Sequence, residues 1–509
     1  MFENQPKALY ALALANTGER FGYYTMIAVF SLFLRANFGL TSDQAGLIYG
    51  VFLALVYFLP LIGGIMADKF GYGKMVTIGI IVMFAGYLFL SIPLGGGVMG
   101  YAAMFGALLL VSLGTGLFKG NLQVMVGNLY DAPELSAKRD SGFSIFYMAI
   151  NIGALFAPTA AVRIKEWAEH SLGYSGNDAY HFSFAVACVS LIVSMMIYYA
   201  FRSTFKHVEA GAGKSKKTDT AGTEEELTPQ QTKERIVALC LVFAVVIFFW
   251  MSFHQNGLTL TYFADEFVNP KSEGVQTMAF DVINLVMIIF MVYSLMSFFQ
   301  SKTSKAKLIS TIVFLAAVGV LVYKYHNIGG PVDVSAPIFQ QFNPFYVVAL
   351  TPVSMAIFGA LAAKGKEPKA PRKIAYGMII AGCAYLLMVL ASRGLLTPNA
   401  QAAAKAAGET VPFASGNWLI GTYLILTFGE LLLSPMGISF VSKVAPPKYK
   451  GAMMGGWFVA TAIGNLLVSV GGFLWNDIPL TIVWAVFIIL CFVSAGFMFL
   501  MMKRLEKVA

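Results

Sequence analysis

Residues 16–24 read NTGERFGYY. They sit in a run from Ala8 to Leu34 that is otherwise apolar and exceeds the ~20 residues a helix needs to cross a bilayer. A charged side chain at mid-membrane costs about 2.5–3.5 kcal/mol on insertion scales. Glu19 and Arg20, side by side in such a run, therefore need a partner or a water-filled cavity. On a helix with about 100° per residue, Asn16, Glu19, Arg20 and Tyr23 share about 100° of arc, with Tyr24 at its edge. The stretch is one polar stripe on a membrane helix.

The rest of the chain has the same character. It has 509 residues, 58% hydrophobic and only 12% charged, where soluble domains carry about a quarter charged residues. The apolar runs repeat, so the chain reads as a polytopic, all-α membrane protein. The expected spans number fourteen: 8–34, 43–66, 75–95, 99–125, 141–162, 180–201, 235–258, 276–299, 307–323, 343–362, 373–393, 416–436, 449–473 and 479–502. The start lacks the basic region and small-residue cleavage site of a signal peptide, and is expected to be the first span instead. Cys188, Cys240, Cys383 and Cys491 all fall in apolar runs with no metal-ligand spacing, so neither a disulfide framework nor a metal site is expected.

The net charge of +9 has a topological reading. Of the 35 Lys and Arg, seven (Arg35, Arg163, Lys165, Lys271, Lys324, Arg393 and Lys405) fall in segments on one side and two, Arg20 and Lys119, inside spans, which leaves 26 on the other. That excess places both termini in the cytoplasm. Charges scattered over alternate loops do not make a face for nucleic acid. The longest polar stretch, 202–234, is rich in Gly, Thr, Lys and Glu and reads as a flexible cytoplasmic linker with a short helix beginning near Thr228. It separates 1–201 from 235–509.

Two further charges and one histidine lie deep in spans: Lys119 in GTGLFKGN, Glu430 in TFGELLLSP and His254 in FWMSFHQNG. Glycines at 114, 116 and 120 around Lys119 allow close approach of a helix or a ligand. Buried ion pairs that tie helices together are one reading. The other is a site for a zwitterion, its carboxylate towards Arg20 and Lys119 and its ammonium towards Glu430.

The first-helix stretch resembles the E-x-x-E-R-F-x-Y-Y motif of the proton-coupled oligopeptide transporter (POT) family, a branch of the major facilitator superfamily. Five more stretches follow in that family's order: GGIMADKFGYGK (63–74), FSIFYMAINIGAL (143–155), QQFNP (340–344), GELLLSPMGISFVSKVAP (429–446) and GAMMGGWFVATAIGN (451–465). The resemblance implies the major facilitator fold, two six-helix bundles with alternating access, here with two additional helices at about 276–323. It implies peptide carboxylate binding by Arg20 and Lys119 and amino-terminus binding by Glu430. Tyr23, Tyr57, Asn151 and Asn343 match positions lining the peptide site, and Trp457 matches an aromatic wall; Tyr57, Trp457 and Asn151 also have plain packing or cross-helix roles open to them. Asp68 and Lys69 match a cytoplasmic gate.

The chain departs from the family at three points. Asn16 replaces the first acid of the motif. His254 stands where the family has an acid implicated in proton movement. Ile27 stands where many members have a basic residue. Histidine titrates near pH 6.5 when unperturbed, so either Glu19 and His254 carry proton coupling together or His254 is a neutral hydrogen-bonding residue and coupling is weakened. The added pair is expected outside the bundle, facing lipid.

The resulting expectation is a proton-coupled importer of di- and tripeptides in a bacterial cytoplasmic membrane. It would be monomeric, with protons as coupling ion and no other cofactor. Another small solute on the same fold (an amino-acid derivative, nitrate or a nucleoside) and a non-transporting substrate sensor remain alternatives. An enzyme is not expected, since no P-loop, H-E-x-x-H or G-x-S-x-G motif is present.

Overall fold

The computed structural model describes residues 5–136, 138–210, 227–446 and 449–508. The middle of the expected linker, 211–226, lies outside the described residues. Among those described, fourteen helices have 18 residues or more: α1 Lys7–Phe38, α2 Ser42–Phe70, α3 Tyr72–Leu90, α4 Val98–Asn128, α5 Arg139–Leu172, α6 Tyr180–Ala200, α7 Pro229–Phe253, α8 Val282–Gln300, α9 Ser304–His326, α10 Phe342–Ala363, α11 Ala370–Ala391, α12 Asn417–Val444, α13 Lys450–Leu467 and α14 Leu480–Leu500. Each expected span falls on one of them. Among the described residues, thirteen helical segments are long and apolar enough to cross a membrane. The first helix is not among them: at 32 residues it is long enough, but its polar stripe dilutes its hydropathy.

The chain packs as two compact units. Unit 1 holds Met1–His254, Ile438–Phe473 and Lys507–Ala509; unit 2 holds Gln255–Gly437 and Leu474–Glu506. Packing defines these units, whereas span count defined the halves expected from sequence. One division falls at a break in the seventh span. There α7 ends at Phe253, a 3₁₀ turn covers His254–Gly257, and a second helix runs over Thr259–Phe267.

Within unit 1, α1 packs on α5 and α6, α3 on α4, and α13 on both α2 and α7. Glycines set these distances. A Cβ on Gly63 would overlap the Gly116 carbonyl of α4, and one on Gly116 would meet the Leu59 backbone at 2.9 Å. Gly114 faces Gly79 and Met83 of α3. Gly114 and Gly116 therefore serve helix contact. Asn121 adds a tie, donating from Nδ2 to the Gly63 carbonyl at 3.1 Å. Gly71 alone separates α2 from α3, with φ of 101°, a conformation that L side chains rarely adopt.

The polar stretch after α6 is ordered where it is described. Two short 3₁₀ turns span Arg202–Thr204 and Lys206–Val208. Glu209 then accepts from Arg202 Nη2 at 2.8 Å and from the Tyr198 hydroxyl at 2.9 Å. Its carbonyl accepts from the Gly73 amide at 3.2 Å. Hydrogen bonding to Glu209 raises the Arg202 guanidinium above its ordinary range. Near Thr228 the expected short helix is instead the start of α7, which runs 25 residues. Thr228 and Gln231 form a capping box with Pro229 at the first helical position, so the start signal was legible but the length was not.

In unit 2, α11 packs along α14 and α8 along α9, with α8 also against α10. The α8–α9 pair presents apolar side chains outward: Leu308 and Leu315 are each 61% exposed. Gly377 of α11 and Gly429 of α12 face each other, each lacking room for a Cβ within 2.9 Å of the other's carbonyl. A two-stranded antiparallel ribbon pairs Lys271 with Asp333 and Ser272 with Val332.

Candidate functional site

In unit 1 the polar stripe of α1 is buried. Asn16, Glu19, Arg20 and Tyr23 are all under 5% exposed. Glu19 and Arg20 pair with each other in a two-pronged contact, Nε to Oε2 and Nη2 to Oε1, both at 2.5 Å. The guanidinium carbon also lies 4.6 Å from the centre of the Tyr23 ring, which stacks on Phe52 of α2 at 6.4 Å. Such a pair removes the cost of two isolated charges but leaves each dependent on the other.

A second group forms where α2, α4, α7 and α13 meet. The Lys119 ammonium sits 4.1 Å from the centre of the Tyr57 ring, and that ring lies 5.9 Å from the His254 imidazole. His254 Nδ1 contacts Asn465 Oδ1 at 2.6 Å, and Trp250 stacks on the imidazole at 5.1 Å. Among the described residues no carboxylate pairs with Lys119. Arg20 is thus neutralised by an adjacent acid, whereas Lys119 meets an aromatic face.

The remaining unit 1 residues make other contacts. Asn151 bonds back along its own helix, Nδ2 to the Tyr147 carbonyl at 3.0 Å. Trp457 is 4% exposed and meets Phe243 edge-on at 6.5 Å. Ile27 is buried. Asp68 and Lys69 are exposed at the end of α2, where Asp68 accepts from the Tyr72 hydroxyl at 2.5 Å.

In unit 2, Glu430 is 8% exposed and has no ion pair among the described residues. Asn343 donates from Nδ2 to Glu430 Oε2 at 2.8 Å and lies 3.0 Å from Thr427 Oγ1. The carboxylate is thus held by a neutral amide, which orients it without cancelling its charge.

Sequence reasoning named Glu430 and Asn343 but not Thr427, and His254 but not Asn465 or Trp250. Thr427 precedes Glu430 by three residues and so shares its helix face. Asn465 was legible only as a rare amide in an apolar run. Among the described residues no group of His, Cys, Asp and Glu could hold a metal.

Fourteen long helices with ionisable groups folded inside their spans define a multi-pass integral membrane protein. Comparison with known proteins refines that class. The POT family model matches residues 73–221 and 323–483. "Dipeptide and tripeptide permease B" of Xenorhabdus bovienii is 26% identical over 481 residues, 92% of this chain and 86% of that protein. A "Di-/tripeptide transporter" of Lactococcus lactis subsp. cremoris is 29% identical over 497 residues, 92% and 89% of the two chains. A crystal structure of a peptide transporter POT in complex with sulfate superposes with a TM-score of 0.74 at 22% identity, covering 100% of this chain and 96% of that one. The chain belongs to the POT family. It is accordingly a transporter of a bacterial cytoplasmic membrane.

Proposed function

We propose that this protein imports di- and tripeptides together with protons by alternating access between its two six-helix halves. The substrate carboxylate is received by Arg20 and Lys119 and the substrate ammonium by Glu430. The observation that carries this reading is the contrast in pairing. Arg20 is fully neutralised by Glu19, whereas Glu430 accepts from Asn343, whose amide also bonds Thr427, and has no countercharge among the described residues. The relatives named as di- and tripeptide permeases support the substrate class.

Glu19 occupies the two-pronged Nε/Nη2 face of the Arg20 guanidinium. A proton on Glu19 weakens that contact. The carboxylate of an arriving peptide has the same geometry and takes its place, so proton and peptide favour the same state. Lys119, held over Tyr57 rather than by an acid, adds a second positive charge. Glu430 binds the peptide ammonium, with Asn343 keeping the carboxylate in one orientation. Tyr23, Asn151 and Trp457 serve the peptide backbone and side chains. His254 shares proton coupling with Glu19, and Asp68 and Lys69 act at the cytoplasmic gate. The proposed transport unit is a monomer.

The test is uptake of a labelled dipeptide into proteoliposomes under an inward proton gradient. Competition by di- and tripeptides, with none by nitrate or nucleosides, is expected. Competition by nitrate or a nucleoside and not by peptides would assign a different solute.

A further inference from the structure

We infer that Asn465 is a positioning residue for His254: it accepts the Nδ1 proton and leaves Nε2 as the atom that exchanges protons. This rests on the reading of His254 as part of proton coupling, but its structural half stands on its own. The contact is short, Nδ1 to Oδ1 at 2.6 Å. Asn465 is fully buried, and its Nδ2 has no hydrogen-bond partner. Burying an amide with only half its capacity used is costly unless the used half is needed.

The backbone is built to make that contact. A Cβ on Gly464 would sit 2.5 Å from the Ile247 carbonyl and 2.9 Å from the Trp250 Cβ. Only glycine lets α13 come this close to α7, and Asn465 is its immediate neighbour. Trp250 stacks on one face of the imidazole with planes 19° apart, and Phe253 meets the ring edge-on at 5.4 Å. Ring tilt and tautomer are both fixed, as for histidines whose second nitrogen must do chemistry. His254 caps α7 at the start of the 3₁₀ turn, so a proton gained there acts where the seventh span is broken.

The titratable or charged groups facing His254 are few among the described residues. From α2 there is Tyr57, with its ring 5.9 Å away. From α4 there is Lys119, whose ammonium lies over the Tyr57 ring. From α13 the facing group is the neutral amide of Asn465 itself. With no facing acid, the amide oxygen is the group that selects which nitrogen carries the proton.

Nitrogen-15 NMR of the purified transporter with labelled histidine tests this directly. The His254 signal is identified by its loss in His254→Gln. An Nδ1–H neutral tautomer is expected in the native protein, reverting to the commoner Nε2–H form in Asn465→Ala. Asn465→Asp, which puts a carboxylate against the ring, should move the His254 titration to higher pH. The pH profile of gradient-driven uptake should move with it, while peptide counterflow at fixed pH persists. An Nε2–H tautomer in the native protein, or a titration unmoved in Asn465→Asp, overturns the positioning role. The expected tautomer and titration shift with an unmoved uptake profile would instead overturn the coupling role of His254, and absence of peptide counterflow in the native protein would overturn the transport reading.

Discussion

At the residue scale, the decisive feature is that two adjacent ionised side chains are buried together on α1. Removing one partner of a buried pair costs about 3–5 kcal/mol, because the survivor is left uncompensated. Glu19→Gln should therefore lower thermal stability measurably as well as abolish gradient-driven uptake. Lys119 depends on a ring face instead, and a cation–π contact is worth about 0.5–2 kcal/mol. Tyr57→Leu, which removes the ring, should weaken peptide affinity by up to about thirtyfold in a binding titration. The sequence already singled out Glu19, Arg20, Lys119 and Glu430, because charge inside an apolar run is conspicuous. It left open whether Glu19 pairs with Arg20 or with a cation on another helix, and it did not reveal that Lys119 meets an aromatic ring. Those choices are made by rotamers and neighbouring helices, which periodicity cannot resolve. Asn465 and Thr427 were missed for the same reason: the bonds they make, to His254 and to Asn343, join different helices and leave no mark in the pattern of either one.

At the scale of elements, glycine contacts set how close the helices come. Gly63→Ala would drive a methyl group into the Gly116 carbonyl, separating α2 from α4 and carrying Tyr57 away from Lys119. Loss of monodisperse protein in size-exclusion chromatography is expected. Gly120→Ala, whose Cβ would meet Pro60 only at ordinary van der Waals distance, 3.7 Å, should be tolerated. The α8–α9 pair gives the opposite case. Its outward side chains touch little protein, so Leu315→Ala should change the unfolding free energy by no more than about 0.5 kcal/mol. Helix number and most helix ends were legible from hydropathy and caps. The continuation of the helix beginning at Thr228 into α7, and the break of the seventh span at His254, were not. Both depend on where the neighbouring helices pack rather than on local propensity.

For the whole molecule, the central claim is that a titratable carboxylate and a substrate carboxylate compete for one guanidinium, and that this competition couples the proton gradient to peptide movement. Membership of the POT family establishes the class of protein, and the proposed mechanism places coupling at the buried Glu19–Arg20 pair. The measurement that tests it most directly is gradient-driven accumulation of a labelled dipeptide in proteoliposomes, comparing the native chain with Arg20→Ala reconstituted in equal folded amount. Native protein should concentrate the peptide only when a proton gradient is imposed, and Arg20→Ala should show no accumulation above protein-free liposomes. Accumulation at the native level in Arg20→Ala would contradict the claim outright.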